Sequence, residues 1–131
     1  MKKTRYEGLQ QNVRKLKLPK IEVWENKYSD REYTIKIDTN EFTCVCPKTG
    51  LPDFAHICIE YAPSKYCIEL KSFKEYLVAF RQIGIFHEHA ANRIADDLAG
   101  SCKPRWVKVR GEFNLRGGVA TTVEVYRKNE N

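Results

Sequence analysis

The hydrophobic residues change period twice along the chain, and this restricts the fold more than any other feature of the sequence. In "REYTIKID" (31–38), Tyr33, Ile35 and Ile37 alternate with Thr34, Lys36 and Asp38, the pattern of a half-buried strand. Pro47, Gly50 and Pro52 then mark a turn. "FAHICIEY" (54–61) resumes the alternation, with Ala55, Ile57, Ile59 and Tyr61 opposite Phe54, His56, Cys58 and Glu60, and a short strand over 65–70 follows the turn at 62–64. The period next lengthens. Phe73, Tyr76, Leu77, Phe80 and Ile83 form the stripe of an amphipathic helix. Ser72 and Glu75 read as a capping box at its start, and Gly84 as its C-terminal cap. Phe86, Ala90, Ile94 and Leu98 line a second helix ended by Gly100. Strand periodicity returns in 105–114 and 119–126, joined by the turn "RGG" (116–118). The expected architecture is α+β: an antiparallel sheet in the order ββ(β)ααββ, with a helical pair on one face. Its open edges favour closure by further copies of the chain.

A length of 131 residues suits one domain, and 42% hydrophobic with 31% charged residues suits a water-soluble one. No apolar run approaches a membrane span, and the basic N-terminus lacks the apolar core of a secretory signal. A cytoplasmic address is therefore expected. The five cysteines are an odd number, which argues for free thiols rather than a disulfide framework. The formal net charge of +6 points to an anionic partner, whether nucleic acid, a phosphate-bearing cofactor or an acidic surface. Lys2, Lys3, Arg5, Arg14, Lys15, Lys17 and Lys20 stand against Glu7 alone in residues 1–20. The expected division is a basic extension over 1–28, one folded domain over 29–127 and a tail over 128–131.

Candidate chemistry begins at "CVCPKTGLPDF" (44–54). A thiol in a Pro/Gly turn is accessible, and Lys48 would raise its thiolate fraction, making Cys46 a candidate nucleophile. Asp53 is a candidate general acid. On spacing alone, an ordinary loop cysteine and turn aspartate are the simpler explanation of the pair. Cys44, Cys46, His56, Cys58, His87 and His89 carry metal-ligating groups, but C-x-C, H-x-C and H-x-H are not the usual zinc spacings. Glu88 opens the second helix, where it suits the helix dipole or could accept from adjacent N–H donors such as a guanine-like edge. Lys71 and Lys74 flank a helix start and Arg116 sits in a Gly-rich turn; they are either surface charge or holders of a phosphate.

"CPKTGLPDF" (46–54), "IELKSFKEY" (68–76), "FHE" (86–88) and "RGG" (116–118) together resemble, in order and spacing, the short single-domain 7-cyano-7-deazaguanine reductases, over about residues 30–126. The resemblance implies the tunnelling fold shared with GTP cyclohydrolase I, in pentameric rings stacked as a decamer with active sites between subunits. It implies NADPH-dependent reduction of the nitrile of 7-cyano-7-deazaguanine to 7-aminomethyl-7-deazaguanine in queuosine biosynthesis. Cys46 would form a covalent thioimide and Asp53 would donate the proton. His87 and Glu88, with the backbone of Ile68, Glu69 and Leu70, would hold the substrate; Lys71, Lys74 and Arg116 would hold NADPH. No metal, membrane or direct nucleic-acid contact is implied. Leu51 and Glu75 depart from the family pattern, which has glutamine and leucine or tyrosine there. The competing readings are an amidinotransferase of the same fold acting on a nitrile-bearing tRNA base, a non-catalytic RNA-binding module, and a zinc-dependent cyclohydrolase.

Overall fold

The computed structural model describes residues 17–129. The basic residues of the N-terminal extension before Lys17 lie outside that range, as do the last two residues of the tail. Strands β1 (Val23–Glu25), β2 (Ile35–Val45), β3 (Pro52–Ala62) and β4 (Tyr66–Ile68) precede helix α1 (Leu70–Ala79), and a 3-10 turn (Phe80–Gln82) precedes α2 (His87–Cys102). Strands β5 (Trp106–Arg116) and β6 (Val119–Lys128) follow. The main sheet is antiparallel in the order β2-β3-β5-β6, and β1 pairs with β4 in a separate ribbon.

The core lies between one sheet face and the helices. Ile57, Ile59 and Tyr61 of β3 and Val107, Val109 and Phe113 of β5 meet Phe73, Tyr76, Phe80, Ile94 and Leu98. The alternation read for β3 and β5 is the alternation of burial in the structure. Ile59 is 0% exposed at the middle of the central strand. Truncating such a residue removes transfer free energy and leaves a cavity. Ile59→Ala should cost roughly 2–5 kcal/mol, read as a lower denaturant midpoint at unchanged slope.

Several local expectations are corrected. Helix α1 starts at Leu70, two residues before the expected capping box. Glu69 is the N-cap: its carboxylate accepts from the Ser72 and Lys71 N–H groups, each at 2.8 Å. Those two amides hold the Glu69 carboxyl below the usual range. Ser72 is buried and otherwise engaged, donating to the Glu69 carbonyl and accepting from the Glu22 N–H. The helix does not reach Gly84, because Val45 of β2 donates to the Ile83 carbonyl and accepts from the Ile85 N–H, which draws 83–85 into an extended conformation. Helix α2 runs past Gly100 to Cys102, where Lys103 takes the left-handed conformation (φ 47°). Phe86 stands at the N-cap of α2 and is exposed rather than lining the core. In β2, a bulge between Thr39 and Phe42 shifts the phase that begins at Ile35, so Phe42 and Cys44 face inward. Packed residues also begin before residue 29: Ile21 is buried in the core and β1 pairs with β4.

Candidate active site

The turn between β2 and β3 is tighter than "CVCPKTGLPDF" suggested. Cys44 already lies in β2, opposite Asp53 of β3, so the turn proper is 46–51. Its backbone closes on itself: Cys46 N–H donates to the Leu51 carbonyl and Gly50 N–H to the Cys46 carbonyl, both at 2.9 Å. Gly50 has φ 73°, a conformation glycine adopts without the Cβ clash other residues meet. Leu51 contributes only its main chain to this closure, and its side chain is 53% exposed. The leucine at that position therefore leaves the turn intact. Glu75, the other departure, is exposed on α1.

The two cysteines differ sharply. Burial pushes the Cys44 thiol up to about 12, with the charges of Asp53 and Cys46 adding to the rise. That thiol is inert at neutral pH. Cys46 is half-buried, which raises its pKa, and Asp53 opposes ionisation too. Hydrogen bonds from the Thr49 hydroxyl and from the Thr49 and Lys48 backbone N–H groups outweigh both, leaving the thiol below its ordinary value. The turn thus stabilises a thiolate through its amides and one hydroxyl, whereas the sequence had pointed to the Lys48 charge.

Asp53 follows in β3 on the inward face, 7% exposed. His87, the first residue of α2, places Nε2 3.0 Å from Asp53 Oδ2. Arg116, at the end of β5, places a guanidinium nitrogen 3.2 Å from Oδ1 and donates to the Pro52 carbonyl. The Gly117–Gly118 turn beyond it has φ of 57° and 80° and carries the chain into β6. The His87 ring lies flat on Phe113 of β5, with centroids 3.8 Å apart and planes 6° from parallel. Cys46, Asp53, His87 and Arg116 are therefore gathered at one end of the sheet.

Glu88 follows His87 at the start of α2, at the same end, but the expected residues from Ile68 to Lys74 are not gathered there. Glu88 is exposed, and its side chain makes no hydrogen bond or ion pair among the described residues; only its carbonyl is used, by Asn92. The Ile68 N–H donates to the Tyr61 hydroxyl and the Glu69 N–H to the Glu22 carbonyl. Asp53 and Tyr61 are eight residues apart along β3, or about 26 Å at the rise of an extended strand. Within one chain, the segment from Ile68 to Lys74 and the Cys46 turn thus lie toward opposite ends of β3. Of the residues considered for zinc, His56 stands on the outer sheet face between Asp38 and Glu112, opposite in phase to Asp53. Among the described residues no three potential metal ligands cluster. Sequence reading placed His87 on the substrate and Arg116 on the cofactor, and missed that both hold Asp53. It also missed Thr49 and Phe113, the latter legible only as an apolar strand position.

A family model described as "QueF-like protein" matches residues 52–131. The chain is 56% identical over 111 residues to the NADPH-dependent 7-cyano-7-deazaguanine reductase of Chlorobaculum tepidum, covering 84% of this chain and 95% of that one. It is 52% identical to the protein of the same name from Elusimicrobium minutum, over 82% of this chain and 80% of that one. In three dimensions it is similar to the apo crystal structure of an archaeosine synthase QueF-Like, with TM-score 0.67 and 24% identity, covering 71% of this chain and 91% of that one.

Proposed function

The chain belongs to the QueF-like protein family and, within it, to the NADPH-dependent 7-cyano-7-deazaguanine reductases, and on that premise we propose that it reduces this nitrile through a covalent bond to Cys46. The observation that carries the proposal is the half-buried, thiolate-favouring Cys46 beside a buried Asp53 held by His87. The Cys46 sulfur adds to the nitrile carbon, and the nitrogen takes a proton from the Asp53–His87 pair, giving a neutral thioimide on Cys46. NADPH, when bound, supplies one hydride to the thioimide carbon and a second to the imine left after the thiolate departs. With two hydrides and two protons, the nitrile becomes an aminomethyl group and Cys46 is regenerated. The Nε2–Oδ2 contact lets one proton be shared by His87 and Asp53; the pair gives it to the thioimide nitrogen and, recharged from water, gives a second to the amine nitrogen.

Lys71 and Lys74 suit the cofactor phosphates: they are exposed on α1 and form no ion pair among the described residues. Arg116 is engaged with Asp53, so its part is to hold the acid at least as much as the cofactor. Glu88 is open to accept from the guanine-like edge. The separation along β3 supports a site completed between copies, a second chain bringing its Ile68–Lys74 segment to this chain's Cys46, within stacked pentameric rings. Mixing Cys46→Ala with a Lys71→Ala/Lys74→Ala variant should restore activity that neither shows alone. Mixtures as inactive as their parts would place all these residues on one chain's site. No helix among the described residues is long and apolar enough to cross a membrane, and we place the enzyme in the cytoplasm.

The direct assay is the fall in reduced-nicotinamide absorbance. Protein given 7-cyano-7-deazaguanine should oxidise two NADPH per nitrile. No oxidation overturns the reductase reading; an adduct without oxidation points to the amidinotransferase.

A further inference from the structure

We propose that Phe113, with Gly111 beside it, is a positioning element for catalysis: the Phe113 ring fixes the plane of the His87 imidazole so that Nε2 stays aimed at Asp53. The inference rests on the reading of His87 and Asp53 as the proton-handling pair. A centroid separation of 3.8 Å with planes 6° apart is close, parallel contact over most of the imidazole face. Among the described residues, every other aromatic pair in the core has its ring centroids more than 5 Å apart.

An imidazole on the first residue of a helix is free to turn about its side-chain bonds unless something holds it. His87 has two constraints: the Asp53 contact at Nε2 and the Phe113 face. The first alone fixes one atom. Adding a flat surface fixes the plane, which sets the direction of the Nε2 lone pair or N–H.

Phe113 is itself immobilised. It is 4% exposed, its ring meets Phe42 edge-on at 6.4 Å and 87°, and it is anchored in β5 opposite Ala55 and Thr121. The place its ring occupies depends on Gly111. A Cβ built on Gly111 would stand 3.0 Å from Phe113 Cε1 and 3.3 Å from Ile57 Cδ1. The missing side chain two residues earlier on the same strand face leaves room for the ring to lie under His87. The strand thus carries a spacer, a plate and, at Arg116, a second tether on Asp53.

Displacement of a catalytic group by about an ångström can cost on the order of 100-fold in rate. Phe113→Leu retains apolar volume and removes the flat face. It should lower kcat by about tenfold or more while leaving KM for the nitrile within about twofold. Phe113→Tyr keeps the face and should retain most of the activity. Gly111→Ala should lower kcat in the same direction by pushing the ring. A packing defect alone would move thermal stability without this split. The decisive measurement is therefore the double-mutant cycle with His87→Gln: if Phe113 acts through His87, Phe113→Leu adds no further loss in that background. Additive losses, or full activity in Phe113→Leu, overturn the proposal while leaving the His87–Asp53 pair standing. Full activity in His87→Gln overturns both the pair and the positioning role.

Discussion

Cys46→Ala should abolish nitrile reduction, lowering turnover by about 10⁴-fold or more, the scale on which loss of an activated nucleophile is felt. The variant should fold normally. Cys46 is half-exposed in a turn closed by backbone hydrogen bonds, and alanine preserves them all. Cys44→Ala should leave the chemistry intact, because the buried Cys44 thiol, pushed up to about 12, stays protonated. The pH dependence separates the two as well. Attack requires the thiolate, so adduct formation falls as pH drops through the Cys46 pKa, which lies below that of an ordinary thiol. Thr49→Ala removes the hydroxyl that favours the thiolate, so this limb should move to higher pH. A limb unmoved by that change would mean the turn does not activate the sulfur.

Asp53→Asn should lower turnover by about 10²–10⁴-fold, the usual contribution of a positioned acid. Asparagine keeps the shape and can still meet His87 and Arg116, but it cannot carry the proton. The same substitution should affect Cys46 in the opposite direction. The Asp53 charge holds the Cys46 thiol up, so removing it favours the thiolate. Alkylation of Cys46 by iodoacetamide at fixed pH should therefore speed up while nitrile reduction collapses. Slower or unchanged alkylation would break the electrostatic link between the two residues.

Much of this was legible from periodicity. The inward faces of β3 and β5, and the helical stripe from Phe73 to Phe80, follow from the spacing of their apolar residues because each packs one face on a shared core. Local competition hid the rest. Glu69 caps α1 because one carboxylate reaches two amides, while Ser72 is drawn off to Glu22, fifty residues away in sequence. The bulge in β2 inverts a clean alternation; it falls between Thr39 and Phe42, where the Thr39 hydroxyl accepts from the Glu41 N–H. At the site, the motifs supplied the residue types, and the sheet register supplied the partners. Asp53 meets His87 and Arg116 only because β3 lies beside β5 and α2 starts over the end of both. Phe113 read as one more core position; its stacking on His87 depends on a glycine two residues away and on a helix that begins 26 positions earlier in the sequence.

The most direct measurement is the intact mass of the protein incubated with 7-cyano-7-deazaguanine in the absence of NADPH. A gain of one substrate mass, mapping to Cys46 and lost in Cys46→Ala, is the predicted result. No mass gain, or a gain that persists in Cys46→Ala, would contradict covalent catalysis at this turn.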